Sequence, residues 1–237
     1  MKEILSQDKK YFNMFTEYEG VNAFFATKLS AREGWPYINK EVFEANAPKG
    51  YIQVGHYQTH GTNIYSIRAE DVKGEDIKFE DSDGAITDVP GVLLTTMHAD
   101  CTPIYFYDPV KRVIAMIHSG WKGTMLEIGR VTSNKMQEEF GCDPKDIIVH
   151  IGPSISQCCF EVDEDVYEMF TDPVYVKKGV KYYIDLKEYN TRMLMDTGIP
   201  RENISISEHC TCCEPELFSS YRYDGSPLRM GAGIIMI

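Results

Sequence analysis

Two apolar runs, GVLLTTM at 91–97 and VIAMI at 113–117, flank the segment HADCTPIYFYDPVKR. Short apolar runs bounded by turn residues are the pattern of strands buried on both faces. DPVKR reads as the turn between neighbouring strands, which places Cys101 and His118 at strand ends. Upstream, the aromatic and β-branched content of VNAFFAT at 21–27 predicts a strand, and the aperiodic stretch from Lys28 to Gly50 predicts a loop with a short helix near Glu41–Ala45. YIQVGHYQTHGTNIYSI alternates apolar and polar residues around Gly61, as two strands flanking a tight turn do, with His60 at the turn. The acidic run between Arg68 and Asp88 reads as a solvated loop.

Met125, Ile128, Thr132, Met136 and Phe140 recur at helical steps and predict an amphipathic helix over 124–140, stopped by Gly141. DIIVHIGPSI predicts a buried strand that breaks at Gly152 and Pro153, and CCFEVDEDVYEMF continues it into a helix capped by Asp163. Asp185 is an N-cap candidate with Glu188 three residues on, and Leu186, Tyr189, Met193 and Leu194 form one apolar stripe ending at Gly198. ISIS, FSSYRYDG and GAGIIMI read as short strands. Strands and helices mix without a regular βαβ repeat. The pattern predicts an α+β fold, a single-domain layered sandwich of mixed β-sheets flanked by helices, spanning residues 1–237.

Composition narrows the function classes. A formal net charge of -12 argues against a nucleic-acid surface. No apolar segment approaches the roughly 20 residues of a bilayer span, and MKEILSQDKKYFNMF lacks the apolar core of a signal peptide, so a cytoplasmic protein with no membrane partner is expected. Seven cysteines, an odd number in a chain too large to need staples, point to free thiols or metal ligands.

Of the six histidines, His60 and His118 combine with Cys101 into a His, Cys, His set drawn from strand ends and turns. Three such ligands leave a fourth tetrahedral position on zinc open for chemistry. His98 lies three residues from Cys101, on the opposite face of an extended chain, and reads as structural. His56 and His60 have helical spacing in a glycine-containing, non-helical segment, and His150 sits inside an apolar run as a core residue. HSGWKGT has two readings: an anion site with Gly120, Lys122, Gly123 and the N-H groups after Thr124, or a tight turn in which Trp121 fills the core. HCTCC at 209–213, joined by Cys158 and Cys159, offers thiolates for a second metal. Read as CxC and CC, however, the cluster lacks the CxxC spacing of a strong zinc signal, and buried cysteine is commonly a small hydrophobe.

Taken in order, QTHG at 58–61, ADCTP at 99–103, HSGWKGT at 118–124, GPSISQCCFEV, DLKEYN, Cys210, Ser220 to Arg222 and Arg229 to Met230 resemble the motifs of the YfiH/LACC1 family. Its members were formerly labelled polyphenol oxidase or laccase and are described as zinc-dependent purine nucleoside phosphorylases. The resemblance implies that His60, Cys101 and His118 bind Zn2+ and form the catalytic centre. It further implies phosphorolysis of adenosine, inosine, guanosine and methylthioadenosine, with adenosine deamination at the same site, so purine nucleoside and phosphate are the expected partners. Substrate contacts fall to Lys28, Lys122, Arg222 and Arg229. Lys122 replaces the family's arginine, Lys28 stands where a TRxGG motif has arginine, and TKLSARE lacks that motif's glycine pair.

Three other readings stay open. Cys101 activated by His118 would be the nucleophile of a cysteine hydrolase, as in the deamidases whose fold the family resembles. A structural zinc would suit a binding module linked to cell-wall-precursor quality control. A lone copper fits a two-His, one-Cys site, whereas a four-copper laccase needs HxH pairs, and this chain has none.

Overall fold

The computed structural model describes residues 1–31 and 40–237. Its largest sheet has the spatial order Ile4–Leu5, Tyr11–Met14, Val21–Ala26, Met230–Met236, Val92–His98, Ile52–His56, Ile77–Phe79. A second sheet runs Ile204–Ile206, Ile148–Ile151, Thr102–Asp108, Val113–Ser119, Gly84–Thr87, Ile64–Ile67. Both mix parallel and antiparallel pairs, and the fold is the α+β sandwich the sequence predicts.

Period-two alternation explains how the layers stack. In Thr102–Asp108, Tyr105 and Tyr107 point into the core between the two sheets, where they meet Phe25, Leu94 and Ile234 of the larger one. Ile104 and Phe106, on the opposite face, meet Ile128 and Met136 of the helix Ile128–Phe140 and Leu194 of the helix Leu186–Met195. The larger sheet is covered in turn by Val42 and Phe43 of the helix Lys40–Asn46, which pack on Phe24, Leu93 and Ile235. Central strands buried on both faces have no polar side to show, which is why they read as continuous apolar runs. Each fully buried large side chain here is worth about 1.5–3 kcal/mol.

A third, three-stranded sheet, Glu161–Val162, Lys181–Ile184, Tyr175–Lys178, has its own small core of Ile155, Phe160, Phe170, Tyr182 and Tyr189. Among the described residues, no helix is long and apolar enough to cross a membrane.

Several elements depart from the sequence reading. The helix expected over 124–140 is divided, with Trp121–Met125 separated from Ile128–Phe140 by Glu127 at φ 59°. The left-handed residue turns Met125 away from the long helix and into the third sheet's core. FSSYRYDG forms the short helix Tyr221–Asp224 instead of a strand, because the Ser220 side chain accepts the Tyr223 N-H as its N-cap and Gly225 ends it at φ 68°. The acidic stretch is only partly a loop: it holds the strands Ile77–Phe79 and Gly84–Thr87. The two strands around Gly61 form, yet they do not pair with each other, because Ile52–His56 enters the larger sheet and Ile64–Ile67 the second. Asp163 begins the helix Glu164–Tyr167 without a side-chain cap bond, whereas Asp185 accepts the Glu188 N-H as expected.

Candidate metal centre

His60 and Cys101 lie in loops that cross from one large sheet to the other, and His118 is the penultimate residue of Val113–Ser119. The crossings bring one donor atom from each residue within 4.8 Å of the other two. Cys101 Sγ is 3.9 Å from His60 Nε2, and the rings of His60 and His118 stand edge to face with centroids 4.8 Å apart. His60 itself takes φ 61°, so the turn expected from QTHG is carried by the histidine and not by its glycine. Gln58 pins this turn to the larger sheet: its Nε2 donates to the Met97 carbonyl and its Oε1 accepts the Met97 N-H.

Asp83 organises the donors from behind. It is fully buried, its Oδ1 accepts from His118 Nδ1 at 2.8 Å and from the His60 N-H at 3.0 Å, and its Oδ2 accepts the Gly61 N-H at 2.8 Å. Fixing Nδ1 as the protonated nitrogen leaves His118 Nε2 for a metal or for Cys101. The sequence reading passed over Asp83, placing it within a solvated acidic loop. The signal available was the apolar GAIT directly after it, which makes Asp83 the entry to a strand.

Two of the donors, Cys101 and His118, shift each other toward an ion pair. Burial pushes the Cys101 thiol up, but the His118 charge and hydrogen bonds from His118 and His60 outweigh it and bring it down to about 6. Burial opposes charging of His118, yet the Cys101 thiolate and Asp83 raise it to about 9. Burial, reinforced by the charge on His118, drives His98 well down; it bonds Cys101 O and Thr96 Oγ1 and serves as a neutral support behind the cysteine. His56, lowered to about 4 by burial, stacks on Phe79 and bonds Ser82. His150 is a buried bridge between Ser205 and Glu3.

The three donors face a cavity of about 870 Å³, within the range of small-molecule sites. Trp121, Phe160 and Tyr221 give it aromatic walls, Arg222 and Arg229 bring cations, and Glu161, Asp163 and Asp165 bring carboxylates. Arg222 is positioned by Asp100, whose Oδ2 accepts the Arg222 N-H and whose Oδ1 accepts the Thr211 hydroxyl, both at 2.7 Å. Arg222 Nη1 also donates to the carbonyls of Cys159 and Glu161. Arg229 donates to the carbonyls of Ser226 and Leu228. Lys28 Nζ donates to the Pro215 carbonyl, and exposed Lys122 holds its Nζ 5.5 Å from the Trp121 ring; neither is among the residues lining the cavity. The places of that motif's glycine pair are taken by Ser30 and Ala31, both buried.

The donor set suits a transition metal, with one soft thiolate and two imidazoles, one of them oriented by a carboxylate. The backbone agrees: a Cβ added at Gly120 would sit 2.7 Å from His60 Cδ2 and 3.2 Å from Cys101 Sγ, so the chain leaves that space clear beside the donors.

This fold and this centre define a family. Residues 39–237 match the model of the family described as multi-copper polyphenol oxidoreductase laccase, and the chain belongs to it. It is 38% identical over 179 residues to "Purine nucleoside phosphorylase YlmD" of Bacillus subtilis (strain 168), a match covering 70% of this chain and 64% of that one. It is 33% identical over 177 residues to "Adenosine deaminase RL5" of an unknown prokaryotic organism, covering 70% and 67%. The crystal structure of the Bacillus licheniformis hypothetical protein YfiH superposes with a TM-score of 0.87 at 30% identity, covering 99% of each chain.

Proposed function

We propose that the chain is a zinc-dependent purine nucleoside phosphorylase of the cytoplasm, acting on adenosine, inosine, guanosine and methylthioadenosine and deaminating adenosine at the same site. The observation that carries this reading is the convergence of His60, Cys101 and His118 on a cavity that also holds aromatic faces and two arginines. The names of the Bacillus subtilis relative and of RL5 support the two activities. His60, Cys101 and His118 would hold zinc, which when bound supplies a Lewis acid and lowers the pKa of water.

The chain's own residues supply the rest. Trp121, Phe160 and Tyr221 offer flat faces to a purine, and Arg222 and Arg229 offer charge to phosphate. Glu161, Asp163 and Asp165 are acceptors for ribose hydroxyls. Asp83 keeps His118 in one tautomer throughout, and Asp100 keeps the Arg222 backbone in place. In phosphorolysis a phosphate oxygen bonds to the ribose C1′ while the bond to the base breaks; the base leaves with the electron pair and gains a proton. In deamination water adds at purine C6 and ammonia leaves.

The test is an assay of metal-analysed protein with adenosine and inosine, with and without phosphate, beside Cys101→Ala. Free base and ribose 1-phosphate are expected with phosphate, and inosine with ammonia from adenosine without it. Stoichiometric zinc with no nucleoside consumed overturns the reading. A second reading, Cys101 as the nucleophile of a hydrolase, is favoured by its thiolate paired with the His118 imidazolium. It predicts turnover that survives a chelator, whereas the zinc reading predicts its loss.

A further inference from the structure

A second group of soft donors lies behind the cavity wall. The segments 154–159 and 210–213 run side by side, joined by a bridge between Ser154 and Cys210 and by the Thr211 N-H to the Ser154 carbonyl. This gathers the sulfurs of Cys158, Cys159, Cys210 and Cys213 within 4.8 Å of one another. Sγ–Sγ separations are 3.7 Å for Cys158–Cys210, 3.5 Å for Cys158–Cys213 and 3.3 Å for Cys159–Cys213, and all four cysteines are free. Tetrahedral geometry at Zn–S of about 2.3 Å requires sulfurs somewhat under 4 Å apart. The spacing that the sequence reading found missing is present: Cys210 and Cys213 are a CxxC, with the intervening Cys212 left out of the four.

The surroundings of Cys210 suit negative charge. Cys210 Sγ accepts the Ser156 N-H at 3.4 Å. The buried Lys187 ammonium, tied to Ser156 Oγ and to the carbonyls of Ser207 and His209, joins the first segment to the residues that lead into the second. An exposed rim at Cys158 and Cys213 gives an ion a way in.

We propose that Cys158, Cys159, Cys210 and Cys213 form a structural zinc site, separate from the centre at His60, Cys101 and His118. Its role follows from its connections. The Cys159 carbonyl accepts from Arg222 Nη1, and Thr211, inside the CxxC, bonds the Asp100 carboxylate that holds the Arg222 backbone. A zinc closed by four thiolates therefore locks the two segments that position Arg222 at the cavity.

The test separates the two sites by metal content instead of turnover. The triple variant His60→Ala, Cys101→Ala, His118→Ala, purified reduced and reconstituted with zinc chloride, is expected to retain one zinc per chain, with an all-sulfur shell by X-ray absorption. Cobalt chloride should give it the intense thiolate charge-transfer bands of a four-sulfur site. Cys158→Ser with Cys213→Ser should lose this metal and those bands while the His60 centre still loads. A reduced, folded triple variant that takes up no zinc, or whose bound zinc shows nitrogen or oxygen ligands, overturns the proposal. So does a double cysteine variant that keeps both metals.

Discussion

The Asp83 carboxylate and the His118 imidazole meet at 2.8 Å with both side chains buried, and the same carboxylate also holds the His60 and Gly61 backbone. One side chain from an acidic, loop-like stretch thus fixes two of the three donors. Asp83→Asn keeps the shape and removes the charge, and it sets an NH2 donor where the carboxylate accepts from His118 Nδ1 or from the Gly61 N-H. Zinc affinity and kcat/KM are each expected to fall about 10- to 100-fold. Competition with a chromophoric chelator and steady-state rates check this; unchanged values would mean that His118 is oriented by something else.

The metal-free protein should carry a pH-dependent ion pair between Cys101 and His118. Cys101 is depressed from 9.0 to about 6, so its contribution to stability is full above the unfolded value and is lost as pH falls through about 6. His118 is raised from 6.5 to about 9, so its contribution is full below 6.5 and is lost as pH rises through about 9. The two losses offset each other between about 6 and 9, so stability is nearly flat there and the pair is read through its thiolate: alkylation of apo Cys101 by iodoacetamide should stay fast until pH falls through about 6. A rate that instead follows an ordinary thiol of 9.0 would rule the pair out.

Gly120→Ala places a methyl 2.7 Å from His60 Cδ2 and 3.2 Å from Cys101 Sγ. Overpacking of this kind costs about 1–3 kcal/mol. Because the crowded atoms belong to the donors, the cost should appear as lost zinc occupancy more than as lost Tm. A variant that loads zinc normally would show that the loops can give way.

Arg222→Ala should divide the two activities. Losing a charge-assisted hydrogen bond worth about 1.5–3 kcal/mol raises the KM for phosphate about 10-fold or more. Deamination uses no phosphate and should change little. Equal loss of both activities would instead make Arg222 a prop for the cavity wall.

The layered fold was legible because its central strands, such as Val113–Ser119, are buried on both faces and leave unbroken apolar runs. Cys101 and His118 were legible for the same reason, since a reactive side chain at the end of such a run has a fixed address. Asp83 was not: burial of a carboxylate depends on a partner 35 residues away, and no local pattern records that. The helix at Tyr221–Asp224 was missed because a four-residue turn rests on one Ser220 hydroxyl, while its alternating aromatics imitate a strand. The CxxC of Cys210 and Cys213 was hidden by Cys212 between them, which made the closer spacings more conspicuous.

His60 and Cys101 each occupy a crossing between the two large sheets, while His118 belongs to one of them. An ion gripped by all three would act as a rivet through the sandwich, joining layers that at that end otherwise hold by apolar packing and a few hydrogen bonds such as His56 to Ser82. Shear of one sheet against the other and release of the ion are then the same motion, so the rate at which metal leaves reports how firmly the two halves of the protein are clamped.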